Sequence, residues 1–290
     1  MEFYFQFVAL LSALTWASSG AILKTLKLNS MFSFPFFEAC ISFLIVSVLI
    51  FIIGDVNSII SEKFDSYVFF SIAAFLSCIG TVSYVVGIQR TSIGVVFTIS
   101  SSSTVLTALI LDFLLNSVTH SIVVLLGAFL VLSSILLLNI RSFINREKQR
   151  IIGILGGVIA GSMWGIGVYF NDKALIEGSV LNGSIVRAIV SIITLSIASV
   201  IFKQNIEKII NKFQFTKLFI ACSLVTLSSL FWFLSLNYTT GSLTAMFGST
   251  SPIFAIIFGY FFLKEKMFKL EYLSIFLALI GIIIIILFKN

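Results

Sequence analysis

A chain of 290 residues that is 59% hydrophobic and only 10% charged, with a mean hydropathy of +1.16, has more apolar surface than a water-solvated globule can hide. Its net charge of +6 does not point to nucleic acid, because the basic residues are spread over short connections between apolar runs instead of being gathered on one face. Cys40, Cys78 and Cys222 all fall inside apolar stretches, so they suggest neither a disulfide framework nor a zinc cluster, and no cofactor is implied.

A hydrocarbon core about 30 Å thick asks for roughly 20 apolar residues per helix. Runs of that size occur at 4–23, 35–53, 67–88, 92–113 and 122–140, and again at 151–170, 183–202, 217–237, 241–263 and 272–288. They are continuously apolar and do not alternate, which excludes a membrane β-barrel and predicts an all-α integral membrane fold with ten transmembrane helices. The first run follows Met1 and Glu2 directly, with no basic leader and no small-residue cleavage pattern, so it is read as a retained span.

The odd-numbered connections hold nearly all the Lys and Arg: Lys24 and Lys27, then Arg90, then Arg141 to Arg150, then Lys203 to Lys217, then Lys264 to Lys269. The even connections and the termini hold Lys63, Lys173 and Lys289, and Arg187 is left inside a run. This bias predicts a multi-pass protein of the cell membrane with the odd connections in the cytoplasm and both termini outside.

The second set of runs repeats the first. Trp16 recurs as Trp164, an offset of 148 residues, and the same offset carries Ala9, Ala13 and Ala17 onto Gly157, Gly161 and Gly165 and Ser101 and Ser103 onto Ser249 and Ser251. The chain divides into a first copy at 1–140, a basic linker at 141–150 and a second copy at 151–290. Five spans per copy would turn the second copy upside down relative to the first, a recurring build of secondary transporters.

Both copies resemble the EamA-type repeat of the drug/metabolite transporter superfamily, over nearly the whole chain. The residues that carry the resemblance are Trp16 with Lys24, their repeat in Gly161-Ser162-Met163-Trp164-Gly165 with Lys173, the pair Ser251-Pro252 followed by Leu263-Lys264-Glu265, and Gly281. The sequence departs from the pattern at Thr104, where a proline would match Pro252, at Ser117, where an acid would match Glu265, and at Glu38, near a position often held by arginine. The resemblance implies a central cavity lined by spans one, three, four, six, eight and nine, and transport of metabolites by alternating access. Members commonly keep their termini in the cytoplasm, whereas the charge bias of this chain places them outside, and the charge bias is followed.

Trp16, Trp164 and Trp232 lie well inside their spans instead of in the interfacial belts, and Tyr84 is the first-copy counterpart of Trp232. Together they are expected to form an aromatic cavity wall, suited to apolar or aromatic metabolites or to cations. Gly153, Gly157, Gly161 and Gly165 make a smooth ridge for close helix packing. The stretches Ser100 to Ser103 and Gly248 to Pro252 are poor helix, so Ser101, Ser103, Ser249 and Ser251 are candidate substrate contacts at broken segments. Charged groups inside spans are functional candidates by default. Glu38 and Arg187 are accordingly candidates for gating or coupling, with Arg187 also able to meet a substrate carboxylate, while Asp112 is expected to reach water. Because Glu38 and Arg187 start their helices on opposite faces in an inverted arrangement, they are not expected to pair.

His120 stands in a short loop, and no metal motif, phosphate-binding glycine loop or Ser-His-Asp arrangement accompanies it, which leaves no basis for an enzyme. The expected function is secondary-active transport of a small organic metabolite, an amino acid or related compound, with a channel or a non-transporting membrane receptor on the same scaffold as the alternative. The partners expected are the metabolite and the lipid bilayer, without nucleic acid; a monomer suffices and an oligomer is left open.

Overall fold

The computed structural model describes residues 2–28, 30–53, 62–115, 121–144, 147–206, 212–238, 248, 250–266 and 268–288. Among the described residues ten α-helices follow one another and no strand occurs: α1 Glu2–Lys24, α2 Ser33–Ile53, α3 Phe64–Arg90, α4 Ile93–Leu115, α5 Ile122–Ile144, α6 Lys148–Leu175, α7 Val180–Ile201, α8 Lys212–Tyr238, α9 Ser251–Phe261 and α10 Lys269–Phe288. Seven of them, α1 to α4 and α6 to α8, are long and apolar enough to cross a membrane. Side chains such as Phe51, Phe64 and Val200 stand largely exposed, an apolar exterior that water does not tolerate and lipid does.

Most of the packing joins the first copy to the second. α6 lies against α3 and α4, α8 lies against α1 and α2, α7 lies against α2 and α3, α9 lies against α1 and α4, and α5 meets α10. Exchanging each helix for its repeat partner maps this set onto itself: α3 on α6 becomes α8 on α1. Single contacts obey the exchange too. Gly80 sits over the Ala160 carbonyl, and their counterparts Ser228 and Ser12 bond to each other's carbonyl oxygens at 2.9 and 2.8 Å. α4 and α9 cross in opposite directions, with Ile93 near Gly259 and Ser101 near Ser251.

The expected ridge exists and explains how closely these helices approach. A Cβ on Gly156 would fall 2.6 Å from the Ser83 carbonyl, and one on Gly161 would overlap the Ser100 carbonyl. Only hydrogen side chains fit there, so α6 packs backbone to backbone on α3 and α4. Gly127 and Gly281 do the same for α5 and α10, each facing the other's carbonyl.

The expected break in the fourth span is absent. α4 runs unbroken through Ser100 to Ser103, because its hydroxyls bond back to the preceding turn: Ser100 donates to the Phe97 carbonyl at 3.2 Å and Thr104 to the Ser100 carbonyl at 2.9 Å. α9 follows a turn at Thr250, with Pro252 in its first turn where its missing N–H costs nothing; residues 241–247 and Ser249 of the expected ninth span lie outside the described residues.

Candidate functional site

A cavity of about 250 Å³ lies between the two copies, running from the middle of the bundle toward the end where α6 and α8 finish. Each major wall is one helix face. α4 presents Ser101, Thr104, Val105 and Ala108, α6 presents Trp164, Gly167, Val168 and Asn171, and α8 presents Val225, Ser228, Ser229 and Trp232. All three follow the i, i+3, i+4, i+7 spacing that puts residues on one side of a helix. α1 adds Ser12, Ala13 and Trp16, α3 adds Ser77 and Thr81, and Gly248 and Ser251 close the wall by α9. α7, which was not expected to contribute, adds Arg187.

Of the candidates named from sequence, Trp16, Trp164, Trp232, Ser101, Ser251 and Arg187 line this space. Tyr84 and Ser103 do not. Tyr84 is 1% exposed and sits behind the tryptophans, with its ring centroid 5.0 Å from that of Trp16 and 5.6 Å from that of Trp164. Phe97 completes the cluster at 6.0 Å from Trp16 and 5.6 Å from Tyr84, and Trp16 meets Trp164 edge to face at 5.4 Å. Trp16 and Trp164 make the floor of the cavity, with Tyr84 and Phe97 packed beneath them. Ser103 is buried against Gly161, and Pro252 is buried in the first turn of α9. Ser249, His120 and the Asp112 side chain lie outside the described residues.

The expectation that Glu38 and Arg187 stay apart is overturned. Arg187 Nη2 donates to Glu38 Oε1 at 2.8 Å, and its Nη1 donates to the Ser229 hydroxyl. The two helices do start at opposite ends, since Phe32 before α2 packs against Phe202 after α7. But Glu38 is already about 7 Å inside α2 and Arg187 about 10 Å inside α7 at about 1.5 Å rise per residue, and two long side chains cover what remains. The carboxylate stays out of the cavity, with its side chain 5% exposed, while the guanidinium reaches in at 21%.

Below the aromatic floor the bundle is sealed by Leu23, Val85, Ile88, Ile93 and Val96. Beyond these, the Lys24 ammonium donates to the carbonyl oxygens of Ile88 and Thr91, where α3 ends, and lies 3.8 Å from Glu265. Glu265 in turn accepts the Ile93 N–H at 3.0 Å, at the start of α4. It is aimed there by the turn after α9: Lys264 takes a left-handed φ of 53°, and the Glu265 N–H bonds back to the Gly259 carbonyl at 2.9 Å. Burial pushes the Glu265 carboxyl above its usual range, against the opposing pull of the Ile93 N–H and of Lys24.

Four hydroxyls of the wall, those of Ser12, Thr104, Ser228 and Ser229, spend their hydrogens on the protein. Ser12 and Ser228 bond each other's carbonyl oxygens, Ser229 donates to the Val225 carbonyl at 3.0 Å, and Thr104 divides its hydrogen between the Ser100 and Gly161 carbonyls. What these groups still offer a ligand is acceptor lone pairs. Sequence reasoning missed Asn171, Thr104, Ser12 and Ser228. Stepping by 3 and 4 residues from Trp164, Ser101 and Trp232 would have found all but Ser12.

No curated protein matches this chain. A solved crystal structure, described only as that of a protein, superposes with a TM-score of 0.69 at 11% identity and covers 100% of both chains, which is a likeness of fold. The model of the EamA-like transporter family matches twice, at residues 4–140 and 151–287, so the boundaries of its two copies fall on either side of the basic linker. The chain is thus a multi-pass membrane protein belonging to the EamA-like transporter family of the drug/metabolite transporter superfamily.

Proposed function

We propose that this protein is a secondary-active carrier in the cell membrane for an amino acid or a closely related zwitterion. In this reading all ten helices cross the bilayer, the copies are inverted, and substrate passes by alternating access through the cavity between them. The antiparallel crossing of the equivalent helices α4 and α9 supports the inversion. The observation that carries the substrate class is the chemistry of the wall: an aromatic floor for a side chain, spent hydroxyls that accept from an ammonium group, and Arg187 as a donor for a carboxylate.

The plugged end supports a carrier over a channel, the second reading, because four rings, an aliphatic layer and the Lys24–Glu265 pair stand across the path. By the charge bias that end faces the cytoplasm and the cavity faces out. The test is thermal stability of the detergent-purified protein against amino acids, polyamines, nucleosides and sugars, since a ligand that binds only the folded state raises its apparent stability. An upward shift with amino acids, lost in folded Trp16→Ala and Trp164→Ala variants, is expected. A response only to polyamines, nucleosides or sugars refutes the substrate class. Saturable counterflow in proteoliposomes is expected of a carrier and absent from a channel.

A further inference from the structure

Arg187 is the one charged side chain lining the cavity among the described residues, and the protein itself supplies it with a carboxylate. A bare guanidinium in a space walled by indole, hydroxyl and aliphatic groups is costly, and Glu38 offsets that cost by forming a buried pair. Glu38 stands on α2, a helix that contributes nothing to the cavity lining, so a ligand meets the arginine and not the acid. Ser229 accepts from Nη1 and Glu38 from Nη2, which takes two of the five N–H donors of the guanidinium and neutralises its charge.

The geometry points to Glu38 as an internal stand-in for the substrate carboxylate: it pairs with Arg187 from outside the cavity, and an amino acid entering the cavity competes with it for the guanidinium. This rests on the amino acid reading above and adds a competitor to it. Each carboxylate bound is bound against Glu38, so the acid lowers affinity and thereby favours release. The fork is shared across the two copies, with Glu38 from the first and Arg187 from the second, so its opening is linked to how the copies sit against each other.

The experiment measures binding of L-phenylalanine and of L-phenylalaninamide, which keeps the ring and the ammonium but has no carboxylate, to the purified wild type and to Glu38→Gln, Glu38→Asp and Arg187→Gln. Folding of each is checked by its elution profile and unfolding temperature. Glu38→Gln is expected to bind phenylalanine at least tenfold more tightly than wild type, with the amide changed by less than twofold. Glu38→Asp, too short to hold the fork, is expected to move in the same direction. Arg187→Gln is expected to bind acid and amide alike. If wild type binds phenylalanine but Glu38→Gln weakens acid and amide equally, Glu38 is a structural prop and the inference falls while the amino acid reading stands. If neither wild type nor Glu38→Gln binds phenylalanine while another class in the panel binds, both fall together.

Discussion

Ser101 of the first copy and Ser251 of the second face each other across the cavity wall, with hydroxyl oxygens 3.5 Å apart. Ser251 is the repeat partner of Ser103, one helical position beyond Ser102 on the same stretch of α4 as Ser101. The contact is where α4 and α9, crossing in opposite directions, come together beside the ligand space.

Alternating access needs the copies to move against each other along such a crossing. In a variant with Cys40, Cys78 and Cys222 replaced by alanine, Ser101→Cys with Ser251→Cys is expected to form a disulfide on oxidation, since the two hydroxyl oxygens face each other at 3.5 Å. Transport in proteoliposomes should then stop on oxidation and return on reduction. Full transport with the bond formed would mean that α4 and α9 move as one body.

The α6 ridge makes a paired stability prediction. Gly161→Ala drives a Cβ into the Ser100 carbonyl, a backbone atom with no rotamer to yield, and is expected to cost about 1–3 kcal/mol of stability. Gly167→Ala, six residues later and off the ridge, meets nothing nearer than the Ala73 carbonyl at 3.5 Å and is expected to leave the unfolding temperature unchanged. Equal loss in both variants would show that helix packing here does not depend on close backbone approach.

The duplication, the aromatic residues and the lone cation were legible because each leaves a mark in composition: a Trp deep in an apolar run, an Arg where none is affordable, a pattern that returns after a fixed interval. The depth of a residue along its helix was legible as well. The reach of its side chain was not, and reasoning from helix starts alone kept Glu38 and Arg187 apart. Tyr84 failed as a wall residue for another reason. Its counterpart Trp232 faces the cavity, but a helix face is set by rotation against its neighbours, and Trp16 and Trp164 already occupy the place in front of it. The serine run in α4 was read as a weak helix because serine competes with the backbone for hydrogen bonds; inside an apolar bundle the competition ends in back-bonding that leaves the helix intact.

Tyr84 carries a prediction of its own. Its hydroxyl oxygen is buried without a hydrogen-bond partner among the described residues, beside Gly20 and the Phe97 ring. A buried unsatisfied hydroxyl costs roughly 1–3 kcal/mol, so Tyr84→Phe is expected to be neutral or to raise stability by about 1 kcal/mol. A clear fall in unfolding temperature would reveal a partner for this hydroxyl.

Glu265 predicts a pH effect of definite sign. Its folded-state carboxyl titrates above the ordinary value of 4.5, with burial as the main cause, so between those two points the folded protein holds a proton that the unfolded chain has lost. Stability contributed by this group is therefore greatest at low pH and declines as pH rises from 4.5 through the raised value. Unfolding temperatures of wild type and Glu265→Gln, compared across that window, should converge toward its acid end and separate toward its alkaline end, with wild type falling more. Parallel curves would show that Glu265 titrates as it would in water.

Because the main helix contacts join one copy to the other, the order of synthesis leaves the first copy without its neighbours. α1 to α5 reach the bilayer before α6, α8 and α10 have left the ribosome, with the glycine faces of α3 and α5 turned to lipid. Glu38 enters with its counter-charge still 149 residues from being made. The nascent chain therefore carries an unpartnered acid in hydrocarbon until α7 arrives, and this is the interval in which membrane quality control has most to recognise.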